Sequence, residues 1–250
     1  MIDQDAYAEV ARATIDRFLG TQRDAITRAA AVVASALLDG GVLQAFGTGH
    51  SRAIALELAG RAGGLVPANQ LGIRDVVYYG DAQPDDILDP LVERETGLAE
   101  RIWKLARIEP ADVFVVASHS GGNAAIVEMA QLAKGRGHRL VAITSMAHTR
   151  AITPRHPSGQ RLADLADVVV DNCAPYGDAA VELPGGDRVG PLSSLTGVLA
   201  VNLLVAEVAG RYLAAGSPPP VYRSLNAPGN EERNAALLAR YAGRVRLGDA

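Results

Sequence analysis

The sequence predicts a doubly wound α/β domain on a parallel five-stranded sheet, with a helical N-terminal extension and a C-terminal arm. Three observations predict it. Short apolar runs without alternation, such as Val113-Phe114-Val115-Val116-Ala117, read as strands buried on both faces, as in a parallel sheet. Helical stretches separate these runs, which is the pattern of crossover connections. Two of the strand-to-helix turns carry Ser and Gly together, Gly47-Thr48-Gly49-His50-Ser51 and Ser118-His119-Ser120-Gly121-Gly122-Asn123. With no repeat and no linker, residues 1–250 read as one domain: extension 1–40, αβα core 41–215, arm 216–250.

In chain order, Asp5 to Leu38 form one or two amphipathic helices, with Tyr7, Ala11, Ile15, Phe18 and Leu19 at helical spacing. Gly40-Gly41 ends them, and a strand over Val42–Phe46 runs into the first glycine turn. A helix over Arg52–Ala62 stops at Gly63-Gly64, and Leu65–Ala68 reads as a short strand. Val76–Tyr79 fits a strand or an extended loop; Gly80–Asp89, rich in Asp, Pro and Gln, fits an exposed loop. Leu91–Ile108 reads as helix, and the alternation then becomes regular: strand 113–117, helix 124–134, strand 140–144, loop 148–160, short helix 161–166, strand 168–171. Gly177–Gly190 is a glycine- and charge-rich connection, followed by a long helix over Ser193–Leu213. Ser217-Pro218-Pro219-Pro220 breaks it, and Glu231–Tyr241 is helical again.

Composition narrows the function. A net charge of −4 leaves no basic footprint, so nucleic acid is not the expected partner. Any phosphate must then be held by backbone donors and hydroxyls rather than by a cationic patch. A lone cysteine, Cys173, excludes an internal disulfide and reads as a small buried filler. The histidines show no metal-binding spacing, so no metal or other cofactor is expected, and His138 and His156 read as surface residues. Asp3 and Asp5 precede no apolar signal core, which points to the cytoplasm. The apolar run Leu195–Leu213 is interrupted by Asn202, Glu207 and Arg211, so it reads as a core helix rather than a membrane span.

In an open parallel sheet, ligands bind outside the carboxyl ends of the strands. The polar clusters of this chain fall there: Thr48 to Ser51, Ser118 to Asn123, Thr144 with Ser145 and His148, and Tyr176 to Asp178. Ser and Asn also cap helices, so one such loop would carry little weight. Two loops of similar build, each opening a helix whose free N–H groups and dipole favour an anion, point to one phosphorylated ligand between them. A dinucleotide is disfavoured, because Arg52 stands where the third glycine of Gly-x-Gly-x-x-Gly is required, and no phosphate-loop Gly-Lys-Ser/Thr occurs.

Gly47–Ser51, Ser118–Asn123 and Ala166-Asp167-Val168-Val169-Val170 resemble the sugar isomerase (SIS) domain, in element order over nearly the whole chain. Arg61–Pro67 and Tyr176-Gly177-Asp178-Ala179 resemble a bacterial single-SIS subfamily related to phosphoheptose isomerases and N-acetylmuramate-6-phosphate etherases. The resemblance implies a flavodoxin-like fold, a phosphosugar ligand, and a homodimer with sites near the interface. It also implies that Ser51, Ser118, Ser120 and Asn123 hold the phosphate, with Thr48, Gly49 and His50 near the sugar. The shared chemistry of such proteins starts with removal of the proton α to the C1 carbonyl. Returning that proton to C1 gives an isomerase; expelling the C3 oxygen gives a lyase. Those relatives carry a glutamate where this chain has Arg61, so the base is sought at Glu182, Glu95 or Glu57, with His50 as acid. The expected activity is lyase or dehydratase chemistry on a phosphorylated amino sugar, N-acetylglucosamine 6-phosphate in particular. The alternatives are an aldose–ketose isomerase or deaminase-isomerase, and a non-catalytic phosphosugar sensor.

Overall fold

A computed structural model describes residues 2–246; Met1 and residues 247–250 of the predicted arm lie outside the described residues. Helices α1 (Gln4–Thr21) and α2 (Arg23–Leu38) precede β1 (Leu43–Gly47), α3 (Arg52–Leu58), β2 (Ala68–Leu71), α4 (Asp75–Tyr78) and α5 (Leu98–Leu105). Then come β3 (Val113–Ala117), α6 (Ala124–Gly135), β4 (Arg139–Thr144), α7 (Met146–Ala151), α8 (Leu162–Leu165) and β5 (Val168–Asp171). A hairpin of β6 (Ala179–Glu182) and β7 (Arg188–Pro191) leads to α9 (Ser193–Ala214) and finally α10 (Glu231–Ala239).

Strands β2-β1-β3-β4-β5 form one parallel sheet in that order. Alternate side chains of each strand feed two separate cores, as the pleat requires. Leu43, Ala45, Val115 and Ile143 join α2, α3 and α9 on one face. Phe46, Phe114, Val116 and Ala142 join α5 and α6 on the other. Helix α2 is therefore part of the helical layer that covers this face, packed along α9. Helix α9 is the one described helix long and apolar enough to cross a membrane, yet Thr196, Ala200, Leu204 and Val208 are buried inside this fold.

Several local expectations give way. Val76–Tyr79 is not extended: α4 forms because Asp75 accepts the Gly72 N–H at 3.1 Å and starts a helical turn. Leu65 makes an isolated antiparallel bridge to Val221 of the arm, and the second strand of the sheet begins later, at Ala68. Helix α3 ends at Leu58, short of Ala62, because Ala59 is extended and Gly60 takes the left-handed conformation (φ 71°). The stretch Leu91–Ile108 is broken: a 3-10 turn at Val92–Arg94 and a left-handed Gly97 (φ 84°) precede α5. His138 is buried at 5% exposure, tilted against the stacked rings of Trp103 and Phe114, with Nδ1 3.0 Å from the Asp112 carbonyl oxygen.

Beneath the sheet, at the amino ends of the strands, lies a buried polar tie. Asp112, the residue before β3, accepts the Val42 N–H at 2.8 Å and the Gln44 side-chain amide at 2.9 Å. Gln44 in turn accepts from Asn69 of β2 at 2.8 Å. The arm completes the tie: Arg244 pairs with Asp112 and Glu109, and the Arg246 N–H donates to Asn69 at 2.9 Å. Replacing Asp112 with Ala removes the shared acceptor of these donors, including a buried guanidinium. The expected loss of unfolding free energy is about 3 kcal/mol or more, read by urea denaturation. A loss below about 1 kcal/mol would contradict the role given to the tie.

Candidate functional site

Strands β1 and β3 are neighbours, with Gly47 registered against Ala117, so the loops that follow them emerge side by side. The chain leaves β1 for α3 on one face and β2 on one side; it leaves β3 for α6 on the other face and β4 on the other side. That divergence makes the crevice between β1 and β3 the switch point of the sheet, where ligands of such folds bind.

The first loop turns at once. A Cβ on Gly47 would lie 2.4 Å from the Ser51 carbonyl oxygen, so only glycine permits the turn. Thr48 is buried at 6% exposure, Gly49 to Ser51 form a 3-10 turn, and His50 faces solvent. In the second loop, Ser118 Oγ accepts the Gly121 N–H at 3.0 Å and Ser120 Oγ accepts that of Gly122 at 3.5 Å. Gly121 is left-handed (φ 63°), and Asn123 stands at the amino end of α6. Both loops thus present serine hydroxyls beside a helical N-terminus.

The Asn123 amide connects this loop to two groups that sequence reasoning missed. Its Nδ2 donates to Glu93 Oε1 at 2.6 Å, and its Oδ1 accepts from Arg155 at 3.0 Å. Glu93 Oε2 lies 3.6 Å from where a Cβ on Gly49 would stand, so one carboxylate reaches both loops. Glu93 is brought there by the 3-10 turn around buried Val92, part of the core that packs α5 and α6. The apolar Val92 was the available signal. Arg155, in an irregular loop whose N–H donates to the Gly122 carbonyl at 2.9 Å, carried none.

A second wall extends from the loop after β3 toward α7 and the start of α9. The rings of His119 and His148 lie 4.5 Å apart, and His148 stacks on Tyr176 at 5.0 Å. His148 Nδ1 accepts the Gly177 N–H at 3.0 Å. Asp178, left-handed at φ 70°, accepts from the N–H groups of Leu192 and Ser193 and from the Ser193 hydroxyl, capping α9. Burial pushes His119 below the ordinary histidine range; the neighbouring His148 adds to the shift and Asp178 opposes it. His148 is lowered too, by burial and then by Arg155, again against Asp178.

The remaining sequence candidates lie elsewhere or face outward. Glu57 accepts from Asn202 of α9 at 2.7 Å and pairs with Arg61, which lies past the end of α3. Glu95 is exposed beyond the turn that carries Glu93. Glu182 is on the hairpin, 69% exposed at its side chain and 3.1 Å from Arg188. The half-buried Cys173 is left-handed (φ 59°), and burial raises its thiol above the usual range. Among the described residues no group of three or more His, Cys, Asp or Glu side chains is placed to hold a metal.

Comparison with known proteins adds four findings. The SIS domain family model matches residues 6–145. A UPF0309 protein of Listeria monocytogenes is 34% identical over 240 residues, covering 96% of this chain and 97% of its own. Among solved structures, the phosphoheptose isomerase of Neisseria gonorrhoeae superposes with a TM-score of 0.56 at 16% identity, over 82% of this chain and 96% of its own. The Vibrio vulnificus NanR protein complexed with ManNAc-6P superposes at 0.51 and 17% identity, over 85% of this chain and 64% of its own.

The histidine wall has a consequence for pH. A histidine depressed below its unfolded value (about 6.5) favours the folded state fully only above that value; this contribution is lost as pH falls, because the unfolded chain protonates first. Asp178, His148 and Arg155 face the pair, and the net direction remains downward. Melting temperature should therefore drop between about pH 7.5 and about pH 5.5, and drop less in His119→Gln. An equal drop in both proteins would contradict this.

Proposed function

This chain belongs to the SIS domain family, and from that premise we propose that it is a carbon–oxygen lyase acting on an amino-sugar 6-phosphate, N-acetylglucosamine 6-phosphate in particular. The observation that carries the proposal is the Glu93 carboxylate, held by Asn123 and facing Gly49 between the two loops. Ser51, Ser118 and Ser120 with Asn123 and the α6 amides would hold the phosphate, assisted by the Arg155 guanidinium. Thr48 and His50 would lie toward the sugar.

In this reading Glu93, rather than Glu95, Glu57 or Glu182, is the base. It takes the C2 proton of the open-chain aldehyde, and the C2–H electron pair becomes an enolate with charge on the C1 oxygen. Collapse of the enolate forms the C2–C3 double bond and breaks the C3–O bond; the departing hydroxide takes a proton and leaves as water. Atoms balance with water as the only other product, and no oxidant or reductant is needed. The N-acetyl group on C2 makes ketose formation less natural than this elimination. The reading includes a cytoplasmic homodimer with its sites near the interface.

Two rivals draw on the comparisons. An isomerase would return the proton to C1, as the likeness to a phosphoheptose isomerase favours. A sensor would bind without turnover, as the likeness to NanR bound to ManNAc-6P favours. Incubation with N-acetylglucosamine 6-phosphate in heavy water separates all three. The lyase exchanges C2–H and releases the C3 oxygen; the isomerase yields a ketose; the sensor does neither. Glu93→Gln should slow exchange by about 10² to 10⁴-fold while phosphosugar affinity is kept. Exchange at the parent rate in that variant would overturn Glu93 as base, and no exchange by the parent with several amino-sugar phosphates would overturn the enzyme.

A further inference from the structure

Both ring nitrogens of His119 are sealed from solvent, and neither has a hydrogen-bond partner among the described residues. Buried polar groups almost always find one, and those that do not mark strain, chemistry or an absent ligand. The position makes the anomaly informative. His119 lies in the second ligand loop between Ser118 and Ser120. Its carbonyl oxygen is pinned by the Ser145 N–H and the Thr144 hydroxyl, both at 3.3 Å, so the main chain is fixed while the ring is not.

The neighbours do not supply the missing partner. The carboxylate of Asp178 is spent on the start of α9, on Leu192 and Ser193. His148 directs its Nδ1 to the Gly177 N–H, which leaves its proton on Nε2 in the neutral ring. His148 meets His119 as a tilted ring, 52° out of plane, and Tyr176 covers His148 from the solvent side. The residue as a whole is only half-buried, so it retains a surface toward the outside. A half-turn of the ring about its Cβ–Cγ bond exchanges carbon and nitrogen edges without moving the loop. A neutral imidazole opposite a carboxylate base is a known arrangement for polarising a carbonyl.

We propose that His119 is a catalytic residue at the sugar end of this site, donating a ring N–H hydrogen bond to the C1 oxygen of the bound sugar. The inference rests on the functional reading above and adds a group to it. Glu93 stands with the core of α5 and α6; His119 stands on the wall formed by α7 and the start of α9. The loop after β3 joins them, with His119 near its start and Asn123, which holds Glu93, at its end. Proton removal at one end then places charge on an oxygen served from the other. His148 and Tyr176 are positioning residues that keep the imidazole in place and shielded.

The test uses the full chain carrying Glu93→Gln, which binds without turnover in the proposed mechanism, and follows the histidine ring nitrogens by ¹⁵N NMR. Addition of N-acetylglucosamine 6-phosphate should shift the His119 ring resonances and slow exchange of its N–H; inorganic phosphate should move the amides of the two loops and leave the His119 ring unmoved. In parallel, His119→Gln in the otherwise unaltered enzyme should lower kcat for C2–H exchange by about 10² to 10³-fold with KM little changed. A sugar phosphate that shifts the loop amides and leaves the His119 ring unmoved would overturn this inference alone. No shift of ring or loop by any sugar phosphate would overturn the functional reading with it. A kcat within about threefold of the parent in a folded His119→Gln protein would remove the catalytic role.

Discussion

Asp112 sets the level at which this sheet ends. It directly precedes β3, and its carboxylate holds the N–H of Val42, the residue before β1, together with the side chain of Gln44. Adjacent strands can slip only by breaking those bonds, which are buried and have no water to replace them. From that fixed start the register runs from Leu43 against Val113 to Gly47 against Ala117. The two glycine loops therefore leave the sheet at one height. Asn69 and the arginines of the arm extend the tie across β2 and around the edge, so a segment remote from the site in sequence helps to hold its floor.

Above that floor the two faces of the sheet contribute different chemistry. The core containing Val92 and α6 delivers a carboxylate, Glu93, held by the amide of Asn123. Elsewhere around the site, the cap of α9 and the His119–His148–Tyr176 row form a wall where burial lowers the proton affinity of both imidazoles. Glycine makes the crossing possible: at Gly47 any side chain would strike the Ser51 backbone. A parallel sheet brings such groups together because consecutive loops open on the same edge, whichever face their helices take.

Much of this was legible in the sequence, and the exceptions have physical causes. Strands β1, β3, β4 and β5 are short, mostly apolar runs without polar alternation, so burial on both faces wrote itself into composition. The two glycine loops were visible because tight turns and close approaches demand particular residues. Val76–Tyr79 misled because β-branched and aromatic residues favour strands, while a single side-chain bond from Asp75 starts a helix there. The second strand was placed early because Leu65 is as apolar as a strand residue but pairs with the arm, a contact nothing local announces. Glu93 escaped in favour of Glu95 for a similar reason: which of two nearby glutamates faces inward depends on the turn anchored by Val92. Arg155 and the orphaned ring of His119 are products of tertiary assembly alone.

In the proposed reading, one crevice holds the phosphate by its loops and the reacting carbon by Glu93. A crystal structure of Glu93→Gln with N-acetylglucosamine 6-phosphate tests it most directly. The account predicts phosphate oxygens hydrogen-bonded to the hydroxyls of Ser51, Ser118 or Ser120 and to the first amides of α6, with C2 within about 3.5 Å of the side-chain amide at position 93. A phosphate bound away from both loops, or a C2 turned from position 93, would contradict it.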